Sequence, residues 1–412
     1  MTLSPEQIAK IRQKEADTPD ALKRNPLNDY MVGWFHVTLN VRREAPVLGF
    51  VVGDADAPDG SDRAPRCMLT ELGRKVEKEW RDVGRFHPFC SCEEIQVMPN
   101  HLHMLFHLQE GNQCHLGRII NGLMIGSTHL YWDTLGIRWR EMRQQLDALK
   151  RGDVKGRAYS AQWQDRDHTR SFRGPALFVR GYNDVEAVTE QEIAIKRQYI
   201  RDNPRKHRVQ SENCECFRKY RHQHSRNWSM ERVKNAIAAD RALGHDAQRR
   251  EKAMESVRAI LNTDVTTAGQ ESSIVLDYIG HKALLYSSRK LPLVCHRADA
   301  HLFEQHKEAV LRSAREHGVI IVSAFISPKE RDIREQLLVE QLPFIEIMDN
   351  GISDKYKGVG KSFYALAEER LCQVSPWRYQ YQRETTVSRE KCLVMNELAR
   401  VISEETDDWW KK

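Results

Sequence analysis

The chain has 412 residues, of which 40% are hydrophobic and 30% are charged, and its formal net charge is +6. This length predicts two or three domains, and the composition is that of an ordinary soluble protein. No apolar run approaches the roughly 18 residues that a membrane span needs. The N-terminus has no apolar core of a secretory signal, so we expect a cytoplasmic protein without a membrane partner.

The first half of the chain predicts an α+β domain. In chain order it contains a predicted strand, helix, strand, strand and helix, at residues 31–41, 69–80, 93–98, 102–108 and 116–133. The strands alternate apolar and polar residues, and the first helix has its apolar residues at steps of three and four. This order is half-way to a ferredoxin-like fold, an antiparallel sheet with helices on one face.

A polar, basic stretch and a capped helix follow. Residues 140–175 have no clear period and are predicted to be loop. Thr189 and Glu192 form a capping-box pattern, which predicts a helix that runs until Pro204 ends it.

The second half predicts an α/β domain. Apolar segments at 291–295, 319–323 and 344–347 alternate with helical stretches near 301–316 and 328–340. Strands that alternate with helices indicate a parallel sheet, hence a Rossmann-like domain. The predicted organisation is an N-terminal extension, a first domain, a basic helical linker and an accessory domain, at residues 1–29, 30–210, 211–269 and 270–412.

The basic charge is concentrated ahead of the accessory domain. Residues 1–250 contain 41 Lys and Arg against 33 Asp and Glu, whereas residues 251–412 contain 23 against 25. Aromatic residues such as Phe217, Tyr220 and Trp228 lie among these basic residues, a pattern typical of surfaces that follow a nucleic-acid backbone and stack its bases. A solvated helical face would explain the charge equally well.

Three histidines lie in the segment "VMPNHLHMLFHLQE". Alternation along a strand puts His101 and His103 on one face, close enough to hold one cation. His107 is about 13 Å along the strand from His103, too far to bind the same ion. We therefore interpret His107 as a surface or hydrogen-bonded histidine. His36, on the polar face of the first strand, is not expected to be a ligand.

The histidine pair belongs to a set of segments in a fixed order: "WFHVTLNV", "VMPNHLHMLF", "LGRIINGLMIGSTHLYW", "GYND" and "QYIRDNPRKH". Together they resemble the HUH-superfamily single-tyrosine transposases, particularly the REP-associated branch, over residues 30–210. The resemblance implies a ferredoxin-like HUH domain. It also implies a metal-dependent endonuclease and strand transferase that acts on hairpin or palindromic single-stranded DNA through a 5′-phosphotyrosine intermediate.

Specific residues follow from this resemblance. His101 and His103 would be the ligands of Mg²⁺ or Mn²⁺, and Tyr199 would be the nucleophile. Asn203 lies four residues after Tyr199 on the predicted helix, so its carbonyl oxygen could be a third ligand. Its position before a proline also suits a helix cap. Tyr182, in the turn-like "GYND" segment, is the competing nucleophile.

The implied partner is single-stranded or hairpin DNA, so we expect this protein to be associated with the nucleoid. The basic side chains expected to contact DNA are Arg118, Arg197, Arg201, Arg205, Lys206 and Arg208. A homodimer is compatible with the resemblance, because the tyrosine helix could complete the active site of its own chain or of a second subunit.

Two other functions remain open. The first is a catalytically inactive descendant that binds hairpin DNA and regulates. The second is a histidine-metal nuclease that uses an activated water and does not need Tyr199. Only the transposase would leave protein covalently attached to a 5′ end.

The remaining candidate sites are weaker. Ligands of open α/β sheets bind outside the carboxyl ends of strands, so Ser323, Ser327, Asn350 and Gly351 are candidate pocket residues. This region resembles the Rossmann-type fold of DNA-processing protein A, although an accessory domain for assembly or DNA positioning explains it too. Two Cys-x-Cys pairs, at 90–92 and 214–216, leave a zinc site open, but their spacing is not the usual one.

Overall fold

The computed structural model describes residues 28–137, 140–141, 144, 175–225, 227–264, 273–296, 299–380, 387–405 and 409–410. The chain divides into two compact units, Met1–Val209 and Gln210–Lys412. The predicted N-terminal extension and the predicted loop at 140–175 lie almost entirely outside the described residues. Among the helices that are described, none has both the length and the apolar character that a membrane crossing requires.

The first unit is built on an antiparallel sheet. Its described elements are β1 (Gly33–Asn40), β2 (Gly49–Val52), β3 (Arg66–Leu69), α1 (Glu71–Arg81), β4 (Cys90–Val97), β5 (His101–Leu108), α2 (Leu116–Thr134), β6 (Asn183–Ala187), α3 (Glu190–Arg201) and α4 (Asn203–Glu212). The strand order is β4-β5-β1-β6, and every neighbouring pair is antiparallel. The β2–β3 hairpin and β6 were missed by the sequence analysis, because their short strands lie beside Gly-rich and Asp-rich turns.

One face of this sheet forms the main core. Phe35, Val37 and Leu39 of β1 lie opposite residues of β5 that are buried as completely as they are. Helices α1 and α2 cover this face with their apolar stripes. The buried indole of Trp80 on α1 donates a hydrogen bond to Ser127 Oγ on α2 at 2.8 Å, so the two helices are also joined by a polar contact. The apolar period of each element therefore points into one shared core.

The opposite face of the sheet carries α3. Leu105 of β5 and Ala187 of β6 form a small buried cluster with Ile193 and Ile200 of α3. The prediction that all helices lie on one face was therefore wrong. The polar face of the sheet contains enough apolar surface, at Leu105 and Ala187, to bind a third helix.

The sequence predicts a capping box at the start of α3 and a stop at Pro204. The capping box is confirmed: Thr189 Oγ1 accepts from the Glu192 backbone, and the Glu192 carboxylate accepts from the Thr189 backbone. The helix ends at Arg201, before Pro204. Pro204 then lies in the first turn of α4, where its missing N–H costs nothing, so helical structure continues beyond the proline.

The second unit contains a mixed six-stranded sheet. Its described elements are β7 (Lys219–Gln223), α5 (Met230–Ala238), α6 (Arg241–Gly244), α7 (Ala247–Ile260), β8 (Leu276–Gly280), α8 (Ala283–Tyr286), β9 (Lys290–Pro292), α9 (Ala300–His317), β10 (Ile320–Ser323), α10 (Pro328–Val339), β11 (Phe344–Ile347), α11 (Lys361–Ala367), β12 (Leu371–Ser375) and α12 (Arg389–Ser403). The strand order is β7-β8-β12-β11-β10-β9.

Strands β9 to β12 pair in parallel, whereas β8 and β7 are antiparallel to their neighbours. Helices α5, α7 and α12 pack on one face of this sheet. On the other face, Arg334 of α10 binds Glu346 of β11 and Ser362 of α11. The predicted strands at 291–295, 319–323 and 344–347 correspond to β9, β10 and β11. The prediction of a parallel sheet was incomplete, because β7 and β8 add two antiparallel strands.

The segment predicted as a linker, 211–269, is part of the second unit. Its residues 219–223 form β7, which pairs with β8, and apolar side chains of α5 and α7 are buried in the second core. Charged residues on the outer faces of these helices dominate the composition. That composition conceals the narrow apolar stripe by which each helix packs.

Candidate active site on the histidine face of the first sheet

The two predicted metal ligands lie side by side on β5. His101 is opposite Asn40 of β1 and His103 is opposite Thr38, so both histidines project from the face that carries α3. Their ring centroids are 4.9 Å apart, and the rings are perpendicular. The prediction that His101 and His103 share a face is confirmed.

Tyr199 is brought to the same place by the packing of α3. Its ring centroid lies 5.4 Å from that of His103 and 5.5 Å from that of His36, in edge-to-face contacts. The side chain is 36% exposed, so the ring is held while part of it is accessible to solvent. These contacts are made within one chain, by the chain's own tyrosine helix.

The position of the His103 ring is fixed by two neighbours on β1. His103 Nδ1 lies 3.0 Å from Thr38 Oγ1 and 3.2 Å from His36 Nε2. Burial, and to a lesser degree the charge of Lys196, lowers the pKa of His36 to about 4, so His36 is a neutral imidazole at pH 7. A neutral His36 and the Thr38 hydroxyl can both accept a hydrogen bond from His103 Nδ1–H, and in this tautomer Nε2 carries the lone pair.

The His101 ring is oriented by the residue before it. Its Nδ1 lies 2.7 Å from the side-chain oxygen of Asn100. An amide oxygen can only accept, so His101 Nδ1 is the donor and Nε2 carries the lone pair. With Nδ1 protonated, each histidine has the arrangement that is usual for metal ligands, in which one ring nitrogen donates to an oriented acceptor and the other binds the ion.

The side chains of this site can supply only part of the ligand shell of a cation. Among the residues that the structure describes, no group of three or more His, Cys, Asp or Glu side chains is placed to hold a metal ion. The protein thus offers two oriented imidazoles. A cation bound by this pair would have to take its other ligands from an amide oxygen, water or substrate.

Asn203, the predicted third ligand, is engaged as a helix cap. Its side-chain nitrogen donates to the backbone oxygen of Tyr199 at 2.7 Å and to that of Ile200 at 3.3 Å. These bonds satisfy carbonyl groups at the carboxyl end of α3, which is the capping alternative that the sequence left open. The role of the Asn203 oxygen as a ligand stays a prediction.

The Tyr199 hydroxyl is not activated by its surroundings in the protein alone. Burial raises the pKa of Tyr199 above its ordinary value, so the phenol is protonated at neutral pH. Lys206 Nζ lies 4.5 Å from the centre of the Tyr199 ring and also pairs with Asp202 at 3.3 Å. This ammonium adds a fixed positive charge beside the tyrosine.

The predicted DNA-contacting residues separate into two groups. Arg197 and Arg201 on α3 lie over the histidine face, where they pair with Glu93 at 3.6 Å and Glu94 at 2.7 Å. Arg205 is different, because its guanidinium binds the backbone oxygen of Ala57 at 2.6 Å and holds the loop between β2 and β3.

The other two basic candidates are Arg118 and Arg208. Arg118 is exposed on α2, the helix that covers the main core, and so lies on the opposite side of the sheet from the histidine pair. Arg208 lies on α4. Of the six predicted DNA contacts, Arg197, Arg201 and Lys206 are the ones that the described contacts place beside the histidine face.

The competing residues are held elsewhere. The His107 ring stacks on Trp34, with centroids 4.2 Å apart and the planes nearly parallel, which agrees with its interpretation as a structural residue. The Tyr182 ring is buried in the main core beneath the opposite face of the sheet. This core lies on the face of the sheet away from the histidine pair, so the geometry favours Tyr199 over Tyr182.

The cysteine pairs show no sign of a zinc centre within the part of the chain that the structure describes. Burial raises the pKa of Cys90 and of Cys92 to about 12, so both are neutral thiols. In the other pair, Cys214 and Cys216 belong to a short 3-10 helix.

The candidate pocket residues of the second unit have structural roles. Ser323 Oγ accepts from the Phe325 backbone, and Ser327 caps α10. The Asn350 side chain forms hydrogen bonds with the backbone N–H and C=O of Gln380. Gly351 has no side chain and so leaves room for the backbone of Arg378 and Tyr379, after β12. These residues shape the carboxyl edge of the sheet.

Comparisons with known proteins give limited information. No protein-family model matches the chain, and no curated protein matches it. The solved structure of a REP-associated tyrosine transposase bound to a REP hairpin aligns with 45% of this chain and 74% of its own, at 15% identity and a TM-score of 0.25. A presumed transposase from Deinococcus radiodurans R1 aligns with 44% of this chain and 97% of its own, at 14% identity and a TM-score of 0.22. TM-scores of this size establish neither a common fold nor a common function.

Three residues of the site were missed or set aside by the sequence analysis: Thr38, His36 and Asn100. The contacts of Thr38 and His36 depend on the register of β1 against β5, which no local pattern specifies. Asn100 could have been found, because it directly precedes His101 in the turn before β5. An amide next to a candidate ligand is a signal for an orienting hydrogen bond.

Proposed function

We propose that the first unit is an HUH domain, with α1 and α2 on one face of its sheet and the tyrosine helix α3 on the other, and that it cleaves and rejoins single-stranded DNA as a metal-dependent single-tyrosine transposase. The observation that carries the proposal is the contact of Tyr199 with His103, which itself lies beside His101. A core tyrosine would not need an oriented imidazole beside it, and a structural histidine pair would not need a partly exposed phenol. Hairpin or palindromic DNA is the proposed substrate.

The proposed reaction is a transesterification. The Tyr199 oxygen attacks the scissile phosphorus and forms a new P–O bond, while the bond to the 3′-oxygen of the upstream nucleotide breaks. In net terms the phenol proton passes to the departing oxygen, which becomes a free 3′-hydroxyl. The phosphodiester energy is retained in the 5′-phosphotyrosine, so attack by a 3′-hydroxyl can join the strands without ATP.

His101 and His103 would hold Mg²⁺ or Mn²⁺ through their Nε2 atoms. When bound, the ion would neutralise charge on the phosphoryl oxygens and help to position the strand. The protein's own part is orientation. Asn100 holds the His101 ring, while Thr38 and neutral His36 hold that of His103.

The surroundings of Tyr199 would position the nucleophile and the DNA. Asn203 ties the end of α3 beneath Tyr199, and Lys206 places a positive charge next to the ring, where the attacking oxygen gains negative charge. Arg197 and Arg201 are the proposed contacts of the DNA backbone. The Arg201 side chain is 62% exposed, so a phosphate can compete with Glu94 for it.

The decisive experiment is a denaturing-gel adduct assay. Purified protein is mixed with labelled single-stranded hairpin oligonucleotides and Mg²⁺ or Mn²⁺, in wild-type form and as Tyr199→Phe. We expect a labelled covalent band in the wild type that is absent from Tyr199→Phe. Tyr286→Phe, at an exposed position of the second unit, is the matched control and should give the wild-type band.

Histidine variants test the metal part. We expect His101→Ala and His103→Ala to abolish cleavage and Mn²⁺ binding while DNA binding is largely retained, and His107→Ala to keep both activities. Full cleavage by either of the first two variants would contradict the metal assignment. Cleavage that survives Tyr199→Phe without any adduct would indicate the water-dependent nuclease, and binding without cleavage across a broad oligonucleotide set would indicate the inactive regulator.

A further inference from the structure

The second unit has a cleft of about 660 Å³ at one edge of its sheet. It is lined by the segments that follow β11, β12 and α7, together with the end of β7 and the start of β8. Strands β11 and β12 run parallel, so the cleft lies outside their carboxyl ends, where open α/β sheets bind ligands. Its volume is in the range of small-molecule sites.

One wall of the cleft is a network of hydrogen bonds centred on Asp277. The buried carboxylate of Asp277 accepts from Arg221 Nη1 at 2.8 Å, from the His222 backbone at 2.9 Å and from Asn262 Nδ2 at 2.9 Å. Arg221 also donates to Asp354 at 2.8 Å. The charge of Arg221 is therefore balanced within the wall, and the network ties the last residues of β7 to Asp277.

The same wall holds His222 in a strained conformation. Its φ is +50°, in the left-handed region that costs a residue with a β-carbon, and the pairing of β7 with β8 is irregular at this point. The imidazole is exposed and makes no hydrogen bond, ion pair or ring contact with any described residue. A glycine would occupy this backbone position with less strain, so the fold keeps a histidine side chain at the cleft at a cost in stability.

The other wall presents a cation and an aromatic ring. Arg378 donates from Nε to the Leu261 backbone oxygen at 2.9 Å and from Nη2 to Thr263 Oγ1 at 3.3 Å. Both partners are uncharged, and no carboxylate among the described residues pairs with this guanidinium. The next residue, Tyr379, is 49% exposed. An unbalanced guanidinium, an imidazole and an aromatic ring thus line one cleft.

We propose that this cleft binds a nucleoside phosphate, with the phosphate at Arg378 and His222 and the base against Tyr379. A guanidinium without a carboxylate partner favours an anion, and the flat ring beside it favours a planar group bonded to that anion. A free nucleotide and the 5′-phosphorylated end of a DNA strand carry this same chemistry. The inference stands apart from the catalytic proposal, because it uses residues of the second unit alone.

Titration calorimetry on the full chain tests the site. The probes are the four deoxynucleoside 5′-monophosphates, inorganic phosphate, and a dinucleotide with and without a 5′-phosphate. We expect one nucleotide bound per chain in the wild type, and at least tenfold weaker binding by Tyr379→Ala and by His222→Gly. Tyr286→Ala, which removes another exposed tyrosine of the same unit, should bind as the wild type does.

Thermal melting separates a binding role from a structural one. Because His222→Gly relieves the backbone strain, its melting temperature should equal or exceed that of the wild type while its affinity falls. Tighter binding of the phosphorylated dinucleotide than of the monophosphates would identify the strand end as the source, and the reverse order the free nucleotide; both support the site. Absence of binding by every probe at millimolar concentration, unchanged affinity in both variants, or phosphate binding as tightly as nucleotide would overturn the proposal.

Discussion

The attachment of α3 to the sheet should depend on Ile200. This side chain is fully buried in a cluster with Leu105, Ala187 and Ile193, which is small compared with the main core on the other face. Tyr199 is its neighbour on the same helix turn. Truncation of Ile200 to alanine should therefore loosen the element that carries the proposed nucleophile.

The expected magnitude follows from the buried atoms. Replacing isoleucine by alanine removes three carbons, and burial of each stabilises by about 0.8 kcal/mol, which amounts to about 2.4 kcal/mol. The cavity that remains adds to this, so we expect Ile200→Ala to lower the free energy of unfolding by about 3 kcal/mol. Ile200→Val should lower it by about 1 kcal/mol. The exposed Arg201–Glu94 pair contributes less than about 1 kcal/mol and cannot compensate.

The assay combines urea denaturation with hydrogen exchange of the amides in α3. Ile195→Ala is the matched control, because Ile195 is on the same helix but 57% exposed, so the two variants share the same change in helix propensity. We expect the control to change stability by less than about 0.5 kcal/mol. Exchange in α3 should accelerate in Ile200→Ala but not in the control.

A specific result would refute this reasoning. If Ile200→Ala were no more destabilising than Ile195→Ala, and exchange in α3 were unchanged, the small cluster would not be what holds the helix. The contacts of Tyr199 with His36 and His103 would then need another cause.

Three further predictions concern an ion pair, backbone space and the orientation of His103. Asp240→Asn keeps the cap of α6 but loses the pairing with Arg389, and should cost about 1 kcal/mol at pH 7. The pairing holds the pKa of Asp240 below its ordinary value, so its stabilisation is present above about pH 4 and is lost as the pH falls through the folded-state pKa. Gly280→Ala should lower the free energy of unfolding by about 3 kcal/mol or more, because φ is +101° and a β-carbon would clash with the backbone oxygen of Leu371. Thr38→Val, which removes the hydroxyl beside His103 Nδ1, should weaken Mn²⁺ binding about tenfold in a spectroscopic titration.

Each of these has its own control. Denaturant titrations of wild type and Asp240→Asn at several pH values should converge in strong acid, and a constant difference would contradict the ion-pair argument. Gly318→Ala, at φ +61° with open space around the added carbon, should cost only about 1 kcal/mol. Equal losses from the two glycine variants would show that backbone crowding is unimportant at Gly280. Unaltered Mn²⁺ affinity in Thr38→Val would show that the hydroxyl does not orient His103.

Much of the local structure is readable from the sequence. Alternation of apolar residues predicts β1 and β5, and it also places His101 and His103 on one face, because side chains of a strand alternate with a period of two. The capping box marks the start of α3 through bonds between residues three apart. Such features involve neighbours in the chain, and the pattern of residue types is sufficient to predict them.

The tertiary structure decided which of these features meet. The pairing of β1 with β5 brings His36 and Thr38 to His103, and the small apolar patch around Leu105 brings α3 and Tyr199 to the polar face of the sheet. Both depend on contacts between segments distant in the chain, and the apolar surface that selects them is formed only after the strands have paired. A polar face with two apolar residues looks the same in the sequence whether a helix covers it or water does.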